Sequence, residues 1–163
     1  MKGFTLIELL IVIAIIAIIA SVVFVALDPL TRFQDSRNSV RWQDIRAIIE
    51  AIKIDQIDNG GDYYTSIDVL NNNVVNMITD GPASSGCDDQ NDYCDINVDG
   101  DASCVDLAPL VTQGYLGDVP VSPNGEGVWT ENVTGYTLEK KANGIIVIRA
   151  CESENSNSIW ISK

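Results

Sequence analysis

The stretch DINVDGDASCVD, residues 95–106, sets oxygen donors at intervals that could hold a hard cation. Asp95, Asn97 and Asp99 take the first, third and fifth places, Gly100 the sixth, Ser103 the ninth and Asp106 the twelfth, with Asp101 offering a backbone carbonyl from the seventh. This is the spacing of a twelve-residue calcium loop, with aspartate standing where a bidentate glutamate is usual. Asp95, Asp99, Asp101 and Asp106 crowd four carboxylates together with no Lys or Arg among them, and a bound Ca²⁺ would relieve their repulsion. The competing reading is a solvated acidic turn, since Pro109 would disturb a regular exit helix.

Two further sets of residues carry chemistry. Cys87, Cys94, Cys104 and Cys151 lack C-x-x-C spacing and all lie in the second half of the chain. They predict disulfide staples formed in an oxidising exterior, with three pairings open and a four-thiolate zinc site as the alternative. At the other end, Glu8 is the only ionisable side chain between Phe4 and Leu27. Left alone in hydrocarbon it would cost a few kcal/mol, so a compensating partner is expected. The 163 residues include no histidine, which removes Ser-His and Cys-His dyads and the common His-bearing zinc sites. No catalytic constellation emerges, and an enzyme is not expected. A net charge of −13 disfavours a phosphate-tracking surface, so direct nucleic-acid binding is not expected either.

The elements that must position these residues follow from hydrophobic periodicity. Residues 4–27 form an apolar run long enough to cross a membrane as a helix. Ala14, Ala17, Ala20 and Ser21 lie along one side of it, where another backbone could approach closely. Residues 28–59 read as an amphipathic stem helix, with Phe33, Val40, Ile45, Ile48, Ile49, Ile52 and Ile57 as its apolar stripe and Arg37, Arg41 and Glu50 among the residues on other faces. Asn59-Gly60-Gly61 ends it. A continuous helix over both segments would be about 80 Å long, about twice what a domain this size can cover. Half of it must therefore be buried in lipid or in other subunits.

Residues 60–106 form a variable loop region carrying cysteines and the acidic loop, with a short strand at 73–79. Residues 107–163 predict an antiparallel sheet, with strands at 135–140, 145–150 and 158–162 and a hairpin signal at Asn143-Gly144. The expected architecture is α+β: a long N-terminal helix, half transmembrane and half amphipathic, packed on an antiparallel sheet of about four strands.

The N-terminal segment GFTLIELLIVIAIIAIIA resembles the methylation signature of type IV pilins and type II secretion pseudopilins. The matching residues are the short leader 1–3 with Lys2 and Gly3, then Phe4, Thr5, Leu6, Ile7, Glu8 and Leu9, then the apolar run. Many relatives carry a helix-bending proline within that run, whereas here the first proline is Pro29. The resemblance implies that a prepilin peptidase cuts between Gly3 and Phe4 and methylates the new amine. It also implies that Glu8 pairs with that amine, chiefly on a neighbouring subunit, and so sets axial register. A homo-oligomeric helical filament assembled at an inner-membrane platform is implied. The subunit would be a single-pass membrane protein with a cytoplasmic N-terminus before assembly and part of an extracellular filament on a prokaryotic cell surface afterwards. The family also favours Cys87–Cys94 with Cys104–Cys151, since the second bond would tie the variable loop to the sheet. Two alternatives stand beside a type IV pilus-like subunit: a pseudopilin of a secretion system, and a monomeric membrane-tethered calcium-binding module.

Overall fold

The computed structural model describes residues 3–155 and 158–163, so Met1 and Lys2 of the expected leader lie outside the described residues. It divides into two compact units, one ending at Phe33 and one running from Gln34 to Lys163.

In the first unit, helix α1 spans Leu6–Leu27 and buries none of its residues. It stops where Pro29 cannot supply an N–H to continue the ladder. Asp28 caps it in the left-handed region at φ 37°, a conformation that Asp tolerates better than most residues. Arg32 Nε donates to the Leu27 carbonyl at 2.9 Å, and Thr31 Oγ1 donates to Asp28 Oδ2 at 2.6 Å, closing the interruption. Helix α2 begins at Pro29, where a missing N–H does no harm, and runs to Asp58. Its end is a glycine stop: the Gly61 N–H reaches back to the Gln56 carbonyl at 2.8 Å, with Gly60 at φ 75°.

The second unit holds a five-stranded sheet. Its strands are β1 (Val75–Thr79), β2 (Cys104–Asp106), β3 (Tyr136–Lys140), β4 (Ile146–Ala150) and β5 (Trp160–Ser162), in the spatial order β2-β1-β3-β4-β5. All neighbours are antiparallel except β1 and β2, which run parallel with Met77 opposite Cys104. Two short helices, α3 (Thr65–Asp68) and α4 (Ala108–Thr112), complete it. Strand alternation divides the core. Ile78, Tyr136, Leu138, Ile146, Ile148 and Ala150 cluster with Ile45, Ile48, Ile49 and Ile52 of α2. Met77 faces the opposite way and packs with Cys87, Val98, Trp129 and Cys151.

The expected α+β architecture is what the structure shows, with one strand beyond the about four expected: Cys104–Asp106, which falls inside the acidic loop, is a strand. Three residues between acids carry too little pattern to read, yet Val105 and Leu107 are both fully buried by pairing beside β1. The stem stripe is also displaced. Phe33, Val40 and Ile57 are exposed, while Asn38, Arg41, Ile45, Ile48, Ile52 and Asp55 are buried at alternating steps of three and four. The helix period continues through polar residues at both ends, which hydrophobicity alone could not follow.

Candidate assembly site

Phe4 is 89% exposed, and the apolar side chains of α1 below it are likewise uncovered. At the head of this segment Thr5 is the N-cap. Its N–H and hydroxyl donate to Glu8 Oε2 at 2.8 and 2.7 Å, and the Glu8 N–H returns a bond to Thr5 Oγ1 at 3.3 Å. This capping box satisfies two orphan donors of the helix start and gives the carboxylate two donors of its own. Within the chain the partner of Glu8 is thus Thr5, for which T-x-x-E is itself a recognised signature. Gly3 lies outside any helix or strand, and a Cβ built there would meet no described atom within 4 Å. Nothing in the described fold demands glycine at that position.

The acidic loop does not gather its oxygens at one centre. Asp95 Oδ2 accepts from Ser153 Oγ at 2.7 Å, Asp99 accepts from the Val75 N–H, and Asp101 Oδ1 accepts from the Gly86 N–H at 2.5 Å. Asp106 Oδ1 accepts from the N–H groups of Gly81 and Ala108 at 3.1 and 2.9 Å, while Asn97 is exposed and the Ser103 carbonyl pairs with Met77 of β1. Asp106, of the expected six-residue calcium set, is engaged with Cys104 and Val105 in strand pairing with β1. Among the described residues, the group of three or more carboxylates that does converge is Asp88, Asp89 and Asp101, with ligand atoms within 4.8 Å of one another.

All four cysteines are paired, which removes the zinc alternative. The bonds are Cys87–Cys104 and Cys94–Cys151, not the expected Cys87–Cys94 and Cys104–Cys151. The backbone explains the difference. The Cys87 N–H bonds to the Asp101 carbonyl at 3.0 Å, bringing it beside β2, and the Asp95 N–H bonds to the Cys151 carbonyl at 2.7 Å.

The least expected feature is a buried ionic clamp on α2. Arg41 is fully buried, and its five N–H groups are all used. Nε donates to Ser122 Oγ, Nη1 to Asn38 Oδ1 and Glu154 Oε2, and Nη2 to the Pro123 carbonyl and Glu152 Oε2, at 2.8 to 3.1 Å. Arg37 forks onto the same Glu154. Its guanidinium, more than that of Arg41, holds the Glu154 carboxyl below the ordinary range against the opposing effect of burial. Nearby, burial pushes the Asp44 carboxyl up, although Tyr136 donates a hydrogen bond to it. Burial, then Asp44, pushes the Tyr136 hydroxyl up in turn. Isolated arginines on a predicted solvent face give no warning of this in sequence.

The described residues thus join an apolar N-terminal helix with a capped entrance, long and apolar enough to cross a membrane, to a disulfide-stapled α+β unit. Residues 1–24 match the family model for the prokaryotic N-terminal methylation motif. This is the signature that type IV pilins and type II secretion pseudopilins share. The motif implies cleavage by prepilin peptidase and assembly into a membrane-associated pilus or pseudopilus. Neither the curated proteins nor the solved structures contain a significant match to the chain.

Proposed function

We propose that this protein is a structural subunit of a type IV pilus-like surface filament. In this reading α1 first anchors the precursor in the membrane and then, after cleavage before Phe4 and N-methylation, bundles with α1 of other copies. One observation carries it: the methylation motif at residues 1–24 runs through most of a 22-residue apolar helix, Leu6–Leu27, that buries none of its residues. Such a surface needs lipid before assembly and like helices afterwards. The freed amine of Phe4 supplies the cation that Glu8 lacks, and Glu8 exchanges Thr5 for that amine on a neighbouring copy. A partner out of register would leave a charge buried alone, which costs about 3–5 kcal/mol. Shearing cells and imaging the supernatant tests the reading. Long detached fibres containing this chain are expected, and their absence in cells that process the precursor would favour the short filament of a pseudopilin.

A further inference from the structure

We propose that Arg41 directs disulfide pairing in this protein: by holding Glu152 and Glu154 on α2 it delivers Cys151 to Cys94 and keeps Cys94 from the nearer Cys87. Chain statistics favour the opposite result. Cys94 lies seven residues from Cys87 in the sequence but 57 from Cys151. With closure probability falling as loop length to the power of about 3/2, the shorter loop is preferred about twentyfold. The structure nevertheless joins Cys94 to Cys151. Some specific set of contacts has to outweigh the local encounter.

The clamp organises both arms of that bond. On one arm, Cys151 is followed directly by Glu152, whose carboxylate meets Arg41 Nη2 at 2.9 Å, and Glu154 meets Arg41 Nη1 at 2.8 Å. On the other arm, the same Glu152 carboxylate accepts from the N–H groups of Glu126 and Gly127 and from Trp129 Nε1, at 2.6 to 3.0 Å, and so shapes the 126–129 loop. That loop is gripped by Gln90, whose side chain takes the N–H of Val128 at 2.8 Å and donates to its carbonyl. Gln90 opens the 3₁₀ turn Asn91–Tyr93, and the Cys94 N–H closes it on the Asn91 carbonyl at 3.0 Å. Cys94, Glu152 and Glu154 line one open cleft of about 580 Å³. A Cβ at Gly125 would stand 2.8 Å from Glu152 Oε2 and 3.2 Å from Arg41 Nη2, so the loop closes tightly over the pair.

An apolar cluster could stabilise this region as well, but it would accept many arrangements. A buried guanidinium with five acceptors is satisfied by one. Chemically, the two thiols undergo successive exchanges with an external disulfide such as oxidised glutathione. The protein gains one S–S bond, and the oxidant leaves as two thiols carrying the two electrons and two protons. Arg41 takes no part in the exchange and acts as a positioning residue.

The full chain, reduced and unfolded and then returned to mild detergent with reduced and oxidised glutathione, can be acid-quenched at intervals. Cleavage at aspartates, which separate all four cysteines, yields disulfide-linked peptides for mass spectrometry. Arg41→Gln is expected to raise the ratio of Cys87–Cys94 to Cys94–Cys151 at least tenfold. Glu154→Gln should move it the same way by less. Ile48→Ala, a core substitution outside the clamp, should leave the ratio near that of the wild type even where it slows folding. A wild-type ratio in Arg41→Gln, or a rise in Ile48→Ala as large as in Arg41→Gln, overturns the proposal. Should Arg41→Gln never reach a folded state, Glu154→Gln decides, and an unchanged ratio there also overturns it.

Discussion

Arg41 Nη2 and Glu152 Oε2 lie 2.9 Å apart, with side chains 0% and 7% exposed, so a helix residue and a residue 111 positions later form one desolvated pair. Removing Glu152 would leave Arg41 Nη2, Trp129 Nε1 and the N–H groups of Glu126 and Gly127 without their acceptor, with Glu154 as the remaining counter-ion of Arg41. Glu152→Ala is therefore expected to destabilise the unit from Gln34 onward by about 3 kcal/mol. Urea denaturation followed by near-ultraviolet circular dichroism measures this directly, with Trp129 losing its Nε1 acceptor as a local reporter.

The pH dependence follows from two groups shifted in opposite directions. Glu154 is held below its ordinary value of 4.5, so its contribution to stability is present above that value and is lost as pH falls through the lower folded value. Asp44 is raised above 3.8, so its contribution is present below that value and is lost as pH rises through the higher folded value. Glu154→Gln should therefore flatten the loss of stability below pH 4.5. Asp44→Asn, which keeps an acceptor for Tyr136, should leave stability at neutral pH unchanged or higher. Denaturation midpoints across a pH series test both.

At the N-terminus, Gly3 and Glu8 should fail in different ways. Gly3→Val meets no steric conflict with any described residue, so it should insert normally and accumulate as uncleaved precursor on immunoblots. Glu8→Leu should be inserted and cleaved, yet yield no fibres where it is the sole subunit. Normal fibres from Glu8→Leu alone would refute the charge-pairing account of register.

Asp99 accepts the Val75 N–H at the start of β1. Asp99→Ala should cost about 1–2 kcal/mol through that lost charged hydrogen bond. The loss should be the same in millimolar calcium and in chelator. A loss confined to calcium would instead assign Asp99 to a metal ion.

The two disulfides close loops of 17 and 57 residues. Loop-closure entropy gives them about 3 and about 4 kcal/mol respectively. Replacing Cys94 and Cys151 together by alanine should thus cost about 1 kcal/mol more than replacing Cys87 and Cys104 together, as read from paired denaturation curves.

What the sequence determined by itself was whatever depends on neighbours along the chain. The membrane-length helix, the Gly60-Gly61 stop and the strands at 75–79, 136–140 and 146–150 are each written in local periodicity or turn chemistry. The methylation motif is as well, because a peptidase reads it as a linear segment. Tertiary structure alone decided which residues meet across long separations. Cys104 pairs with Cys87 because β2 lies parallel beside β1, and a three-residue strand acquires its identity only from that neighbour. The carboxylates of Asp99, Asp101 and Asp106 were drawn to different backbone N–H groups for the same reason. Arg41 is the clearest case. Its burial rests on two glutamates more than a hundred residues away, and charge is cheap to bury only where such partners converge.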